Sequence, residues 1–295
     1  MAGMNHTEEL GEFLRARRAL LTPEGAGITS YGARRVPGLR REELAQLAGV
    51  SATYYTRLEQ GQSTNASENI IDSIGRALNL NDDEKVHLHD LARPAKAKRR
   101  TPGKPDQATP GTIRLLNAMA NVPTVIMGRR NEVLAWNPLG HLLVAGHTDF
   151  DAPSRPFDRP NLTRMLFLDP HTKDLYRNWR DEASLAVASL RFIAAQHQDD
   201  AELTQLIGEL TLKSPDFAAM WTKHPVQQCV SGVKRFHHPE VGDFDLSFEV
   251  LHLPGASGHR MMTHAAEPGS TDAAALELLS ATNETSLAQH VPSRI

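Results

Sequence analysis

The chain has 295 residues and a formal net charge of −3, a length that as a soft prior corresponds to about two domains. No apolar run reaches the roughly 18 uncharged residues that a membrane helix needs, and the single cysteine, Cys229, excludes an internal disulfide and a cysteine-based zinc site. The charge is uneven: residues 1–104 carry 16 Lys/Arg against 13 Asp/Glu, leaving 16 against 22 for the remainder, so any anionic partner belongs to the front part. Residues 1–6 have no basic stretch leading into an apolar one, and the expected location is cytoplasmic.

The first hundred residues read as short helices joined by tight turns. Residues 10–21 carry Leu10, Phe13, Leu14, Leu20 and Leu21 near helical spacing. A loop over 22–38 holds Pro23, Gly25, Gly27, Gly32 and Pro37. A helix over 40–48 follows, then a break at Gly49 and a helix opened by Ser51 as N-cap. Ser67 caps a fourth helix, 68–78, which buries Ile70, Ile71, Ile74 and Leu78. Asp82 caps a fifth, running to about 92 with Val86, Leu88 and Leu91. Residues 94–109 are basic, proline-rich and too poor in large apolar groups to pack a core. They divide a first domain (1–93) from a second (110–295).

In the second domain Thr109 starts a helix carrying Ile113, Leu115, Leu116 and Met119. Apolar runs at 123–128 and 132–136 around Arg129-Arg130-Asn131 predict a hairpin. Helices fill about 138–223. One opens at Asp169-Pro170, an N-cap and N1 pair, and runs past Trp179 to about 196; Ser214-Pro215 opens another. Three strands follow, at 227–236, 243–253 and 259–265, with turns at 237–242 and 254–258. The middle strand alternates Phe244, Leu246, Phe248 and Val250 with Asp245, Ser247 and Glu249. A last helix, 272–282, packs Ala275, Leu276, Leu278 and Leu279. The predicted class is α+β: an all-α five-helix domain, then a PAS-like domain with a five-stranded antiparallel sheet and helices.

Residues 41–60 carry the functional signal. A helix-turn-helix needs small and apolar residues where its helices cross and a glycine at the turn. Leu44 and Ala48 supply the inner face of the first helix, and Ala45 admits the second. At Gly49 a bare α-carbon allows the turn and the crossing; Val50 plugs the junction, and Tyr55 and Leu58 face the core. The second helix presents its leading end to the major groove, which exposes Ala52, Thr53, Thr56 and Arg57, with Tyr54 included in the candidate set. Arg57 has the donors for two hydrogen bonds to guanine, and the methyls of Ala52 or Thr53 suit a thymine methyl; the alternative for Arg57 is an ion pair with Glu59 or Asp72. Ser51, Arg40 and Arg41 lie at helix starts, where a phosphate is favoured. Arg34 and Arg35 in the preceding loop are either phosphate contacts or a solvated basic turn.

The run Leu39-Arg40-Arg41-Glu42-Glu43-Leu44-Ala45-Gln46-Leu47-Ala48-Gly49-Val50-Ser51-Ala52-Thr53-Tyr54-Tyr55-Thr56-Arg57-Leu58-Glu59-Gln60-Gly61 resembles the XRE (lambda-repressor-like) helix-turn-helix family. The arginine-bearing loop before Gly38-Leu39-Arg40-Arg41 resembles that of its MmyB-like regulators. The rear part is similar to the MmyB-type ligand-binding domain through Asn131-Glu132-Val133-Leu134-Ala135-Trp136-Asn137, Ser214-Pro215-Asp216-Phe217-Ala218-Ala219-Met220-Trp221 and His238-Pro239-Glu240-Val241-Gly242. The resemblance covers about residues 10–92 and 110–280. It implies a bacterial, nucleoid-associated transcription factor, a homodimer on a double-stranded DNA operator. Its PAS-like domain would hold a small apolar ligand, with a fatty acid as a suggested class and no other cofactor. In one departure, the usual polar reader at the start of the recognition helix is Ala52 here.

Candidate ligand-binding residues are Trp136, Asn137, Phe167, Trp179, Arg180 and Trp221, because apolar walls with few polar groups make such pockets. The same aromatics also serve as plain core. Arg180 and Arg191 either meet a ligand carboxylate or stay paired or on the surface. No catalytic set emerges, and an enzyme is not expected. Ser231-Gly232-Val233-Lys234 spells S-x-x-K in a predicted strand without its companion motifs. Gly255-Ala256-Ser257-Gly258 falls one residue short of a nucleophile elbow, and His87 and His89, two apart on a helix, do not face each other. His237-His238 reads as structural, so no metal site is predicted. The alternative function is a helix-turn-helix module that binds protein without ligand sensing; the four arginines within 34–41, free of acidic residues, argue against it.

Overall fold

The computed structural model describes residues 6–28, 38–62, 66–93, 106–254 and 258–289, with residues 6 and 283–289 described by backbone alone. The chain divides into two compact units. Met1–Arg99, Val187–Glu209 and Ala218–Gln228 form the first; Arg100–Ala186, Leu210–Phe217 and Cys229–Ile295 form the second. The first unit is therefore larger than the 1–93 expected. Phe192, Ala195 and Val226 share an apolar core with Leu10, Phe13, Leu88 and Leu91, which draws two rear segments into it.

Five helices occupy the front of the first unit: α1 His6–Leu20, α2 Arg41–Ala48, α3 Ala52–Glu59, α4 Glu68–Ala77 and α5 Asp82–Ala92. Their boundaries have local causes. The Ser51 hydroxyl accepts from the Tyr54 N–H at 3.1 Å and caps α3. Helix α5 is opened by Asn81 rather than Asp82: Asn81 Oδ1 accepts from the Glu84 N–H and the Glu84 carboxylate accepts from the Asn81 N–H, both at 2.9 Å. That reciprocal box satisfies two orphan donors at once. Gly49 ends α2 at φ +67°, and a Cβ there would meet nothing within 4 Å. It is needed for its left-handed backbone and not, as the motif implies, for room at a crossing. The close crossing is at Gly11, where a Cβ would lie 2.3 Å from the Glu59 carbonyl oxygen. Phe13, Leu14, Leu44, Tyr55, Leu58, Ile71, Ile74 and Leu88 fill the core between these helices.

Further along lie α6 Pro110–Ala118, β1 Thr124–Met127, β2 Val133–Trp136, α7 Pro138–Ala145, a 3-10 turn at Ala152–Ser154, α8 Leu162–Leu168 and α9 Pro170–Leu175. They are followed by α10 Trp179–Gln196, α11 Ala201–Lys213, α12 Pro215–Trp221, β3 Ser231–His238, β4 Gly242–His252, β5 Arg260–Ala265 and α13 Thr271–Gln289. The five strands make one antiparallel sheet in the order β2-β1-β5-β4-β3, the PAS-like arrangement expected. One face buries Val125, Trp136, Phe236, Phe244, Leu246 and Phe248 against α7 and Leu279 of α13. The other places Ile126, Leu134 and Met261 under Leu116 of α6.

Three expectations give way to tertiary contacts. The helix predicted from 169 to 196 is two helices, α9 and α10. Tyr176 leaves helical geometry at φ −106°, ψ 117°, bridges to Phe236, and the Arg177 N–H donates to the Arg235 carbonyl at 3.0 Å. Pairing with the edge of β3 replaces one turn of helix. His237 and His238, expected in a turn, extend β3 and pair with Asp243 and Gly242. Leu278 is 56% exposed, because it sits about 100° round α13 from the buried Leu279.

Gly11→Ala is expected to lower the thermal midpoint more than Gly49→Ala, since the first forces α1 off α3 while the second strains only one residue by about 1–2 kcal/mol. Equal shifts in calorimetry would contradict this account of the crossing.

Candidate functional site

Helix α3 buries Tyr55, Leu58 and Glu59 and leaves Thr53 and Arg57 in solvent. Glu59 is the unexpected member, a carboxylate wholly out of solvent at the end of the helix. Arg18 donates to both its oxygens, Nε to Oε2 at 2.9 Å and Nη2 to Oε1 at 2.8 Å, the bidentate geometry of strong charge-assisted pairs. Arg18 Nη1 also reaches the Leu39 carbonyl at 2.6 Å. Arg41, the first residue of α2, donates Nε to Oε1 at 3.0 Å. Burial alone would raise the Glu59 pKa; hydrogen bonds and charge from Arg18, then from Arg41, hold the carboxyl below its usual range. One charge thus ties α1, α2 and α3 together.

This arrangement reassigns several candidates. Arg41, expected on a phosphate, commits its guanidinium to Glu59, with its side chain 39% exposed. The ion pairs considered for Arg57 are not made: Arg18 and Arg41 occupy Glu59, and His89 holds Asp72 at 2.8 Å. Arg57 is exposed and has no side-chain partner among the described residues. Ala52 is half-buried and packs against the core, whereas Thr53 is exposed. Ser51 is exposed although its oxygen caps α3, and Tyr54 and Thr56 are half-buried. Arg40 is exposed, with its backbone N–H donating to Glu43 Oε2 at 2.7 Å. Arg34 and Arg35 lie outside the described residues.

The six expected ligand residues are divided between the two units. Trp221 belongs to the first unit, where the Arg191 guanidinium stacks 3.9 Å from its ring centre and donates to its carbonyl. Arg191 is accordingly buried, its pKa lowered to about 10 by that burial. The other five lie in the second unit. Trp136 is core, its Nε1 donating to the Phe150 carbonyl at 2.8 Å. Asn137 exhausts its amide: Oδ1 accepts from the Thr124 N–H at 3.1 Å and the Gly140 N–H at 2.8 Å, and Nδ2 donates to the Met119 and Val122 carbonyls, each at 2.7 Å. It caps α7 and clamps β1, with no donor or acceptor left for a ligand. Trp179 Nε1 donates to the Leu166 carbonyl at 2.8 Å, and Phe167 meets Trp179 and Phe217 edge-on. Arg180 is exposed. Trp136 and Trp179 are buried, whereas Phe167 and Trp221 are half-buried.

A cavity of about 490 Å³ lies instead between α7, β5 and α13, walled by Leu139, Ala266, Ala273 and Leu276, with Asn121, His264, Glu277 and Ser280 as polar members. Its size falls in the range of roughly 300–1,000 Å³ of small-molecule sites. Burial pushes the His264 pKa down to about 3, so the ring is neutral. Its Nδ1 lies 3.4 Å from the Pro123 carbonyl, and its Nε2 has no hydrogen-bond partner among the described residues. The signal available in sequence was slight, a run of small residues at Ala273-Ala274-Ala275, of which Ala273 lines the cavity and Ala274 is exposed. The S-x-x-K residues point to opposite faces of β3, as odd spacing in a strand requires. Ser231 is exposed, whereas Lys234 is buried, paired with Glu182 and 4.5 Å from the Phe248 ring centre. No helix among the described residues is long and apolar enough to cross a membrane.

Glu59→Gln should cost about 3 kcal/mol, the scale of breaking a buried pair and leaving its partner unneutralised. Arg57→Ala should leave the thermal midpoint unchanged. A Glu59→Gln midpoint equal to wild type would show that the cluster does not hold the three helices.

Residues 9–88 match a family model described as a helix-turn-helix domain, and residues 108–279 match one described as the MmyB-like transcription regulator ligand binding domain. A search among curated proteins finds no match. The rear match alone spans more than half of the chain and runs from α6 into α13. The chain belongs to the MmyB-like transcription regulator ligand binding domain family, and carries that domain behind a helix-turn-helix domain as a ligand-responsive transcription regulator.

Proposed function

We propose that the chain binds a double-stranded DNA operator as a homodimer through α3, and that a small apolar ligand in its second unit alters operator affinity. The observation that carries this reading is Arg57, held out in solvent on the helix after the glycine turn while Arg18 and Arg41 are committed to Glu59. A guanidinium so placed suits bidentate readout of guanine, with the Thr53 methyl suited to thymine. Arg40 and the Ser51 hydroxyl are placed for phosphates, with Arg34 and Arg35 as further phosphate contacts on sequence grounds alone. A lone helix-turn-helix grips one half-site, and two copies on half-sites one helical turn apart supply the rest.

For the ligand, the cavity beside His264 is the best candidate. Its lining among the described residues contains no lysine or arginine. Its polar members, a neutral imidazole, the Glu277 carboxylate, Asn121 and Ser280, supply no cation for an anion, so a neutral head group fits better than the free fatty acid that the resemblance implies. A ligand that binds two arrangements of the sensor unit unequally shifts the operator-competent population.

Selection of genomic fragments bound by the full chain would supply the operator. On it, Arg57→Ala should cost about 1–3 kcal/mol and relax preference at one base pair, and Arg40→Ala should weaken all duplexes alike and lower the salt slope by about one. Absence of affinity for any duplex, or affinity indifferent to salt, would favour the protein-binding module instead. Denaturing extraction followed by mass spectrometry should release an apolar molecule that changes operator affinity. If it releases none and no such molecule has an effect, sensing fails and DNA binding stands.

A further inference from the structure

We propose that His147, Asp169 and His171 form a binding site for a divalent cation of the zinc class. The three side chains converge from two elements of the second unit: His147 follows the C-terminal end of α7, and Asp169 and His171 open α9. One ligand atom from each lies within 4.8 Å of the others. His147 Nε2 is 2.5 Å from Asp169 Oδ2, and His171 Nδ1 is 3.4 Å from Asp169 Oδ1. The imidazoles stack with centroids 4.7 Å apart and planes 15° from parallel.

Zinc bound at about 2.0–2.2 Å from each nitrogen and oxygen holds neighbouring ligand atoms roughly 3–3.5 Å apart. His171 Nδ1 is at that distance from Asp169 Oδ1, but His147 approaches Oδ2, and the three ligand atoms are spread over as much as 4.8 Å, so the side chains have to draw together on one ion. The His147–Asp169 pair has to open by about half an ångström as the cation replaces the proton they share. Two imidazoles and a carboxylate disfavour calcium and magnesium, which take oxygen ligands, and favour zinc and its neighbours in the first transition row. Three protein ligands leave room for water at the metal.

The surroundings fit. The side chains of His147 and Asp169 are 29% and 22% exposed, so a hydrated ion can enter. Lys173, two residues beyond His171, has its ammonium 4.1 Å from the Trp179 ring centre and 3.5 Å from Asp216, which answers its charge elsewhere. Asp169 Oδ1 accepts the His171 N–H at 2.9 Å, and this fixes the carboxylate without using an imidazole nitrogen. Leu143, Val144 and Leu175 anchor α7 and α9 in the core. An imidazole nitrogen coordinates in its ring plane, so one of the two near-parallel rings turns when both take the same ion, and the exposure of His171 leaves it room to do so.

The test uses the full chain, stripped with a chelator and titrated with Zn²⁺ against a chromophoric competitor, with Co²⁺ followed in parallel by visible absorption. Wild type should take up one equivalent. His171→Ala, which leaves the His147–Asp169 pair intact, should weaken Zn²⁺ binding by about tenfold or more, the scale at which even supporting groups matter at metal sites. His147→Ala should do the same. His237→Ala, which breaks the exposed His237–Asp243 pair, should leave the affinity unchanged. Circular dichroism of the metal-free variants separates a lost ligand from a lost fold. Equal Zn²⁺ affinity in wild type and His171→Ala, or a loss in His237→Ala alone, overturns the site.

Discussion

Arg18 of α1 and Arg41 of α2 converge on the carboxylate of Glu59 at the end of α3, and because that carboxylate is out of solvent its burial is tolerable only while both guanidiniums stay in place. The geometry of the helix-turn-helix follows from that constraint. With Glu59 turned inward, helical periodicity places Tyr55 and Leu58 on the same inner side and Thr53 and Arg57 outside. The bare α-carbon of Gly11 lets α1 come down onto the Glu59 carbonyl, so that Arg18, two turns further along, is within reach of the same residue. An ion cluster is a weak source of net stability but a strong source of register, since a helix rotated or slid by one residue would leave charge buried and unpaired.

In the second unit the corresponding role falls to a neutral group. Asn137 holds four backbone groups at once, linking the end of β2, the start of α7, β1 and the segment after α6. Gly140 lets α7 pack directly on β1, where a Cβ would fall 2.4 Å from the Thr124 carbonyl oxygen. With α7 fixed so tightly to the sheet, the small residues of α13 are the ones that leave space, and the cavity lies beside them.

Much of this was legible in the chain. Seven steric positions in residues 41–60 are enough to recognise two crossing helices, and the alternation of Phe244, Leu246 and Phe248 places β4 with one face buried. What periodicity misjudged were residues with two competing partners. Tyr176 can continue a helix or pair with Phe236, and only the nearness of β3 decides it. Asn81 and Asp82 both suit an N-cap, and the reach of Glu84 selects the first. Among site residues, Arg41 and Asn137 looked available because their hydrogen-bonding partners, Glu59 and the backbone near 119–124, lie 13 or more residues away.

The sequence by itself determined the class of this protein: a helix-turn-helix with an outward second helix, joined to a mixed sheet-and-helix sensor. Those features depend on local volume and polarity, which each residue carries wherever it sits. Which arginine is committed to a carboxylate, which is held out in solvent, and which wall of the sensor has room for a molecule were decided only by tertiary structure. They depend on distances between residues far apart in the chain, and a hydrogen bond or a cavity exists only once those distances are set.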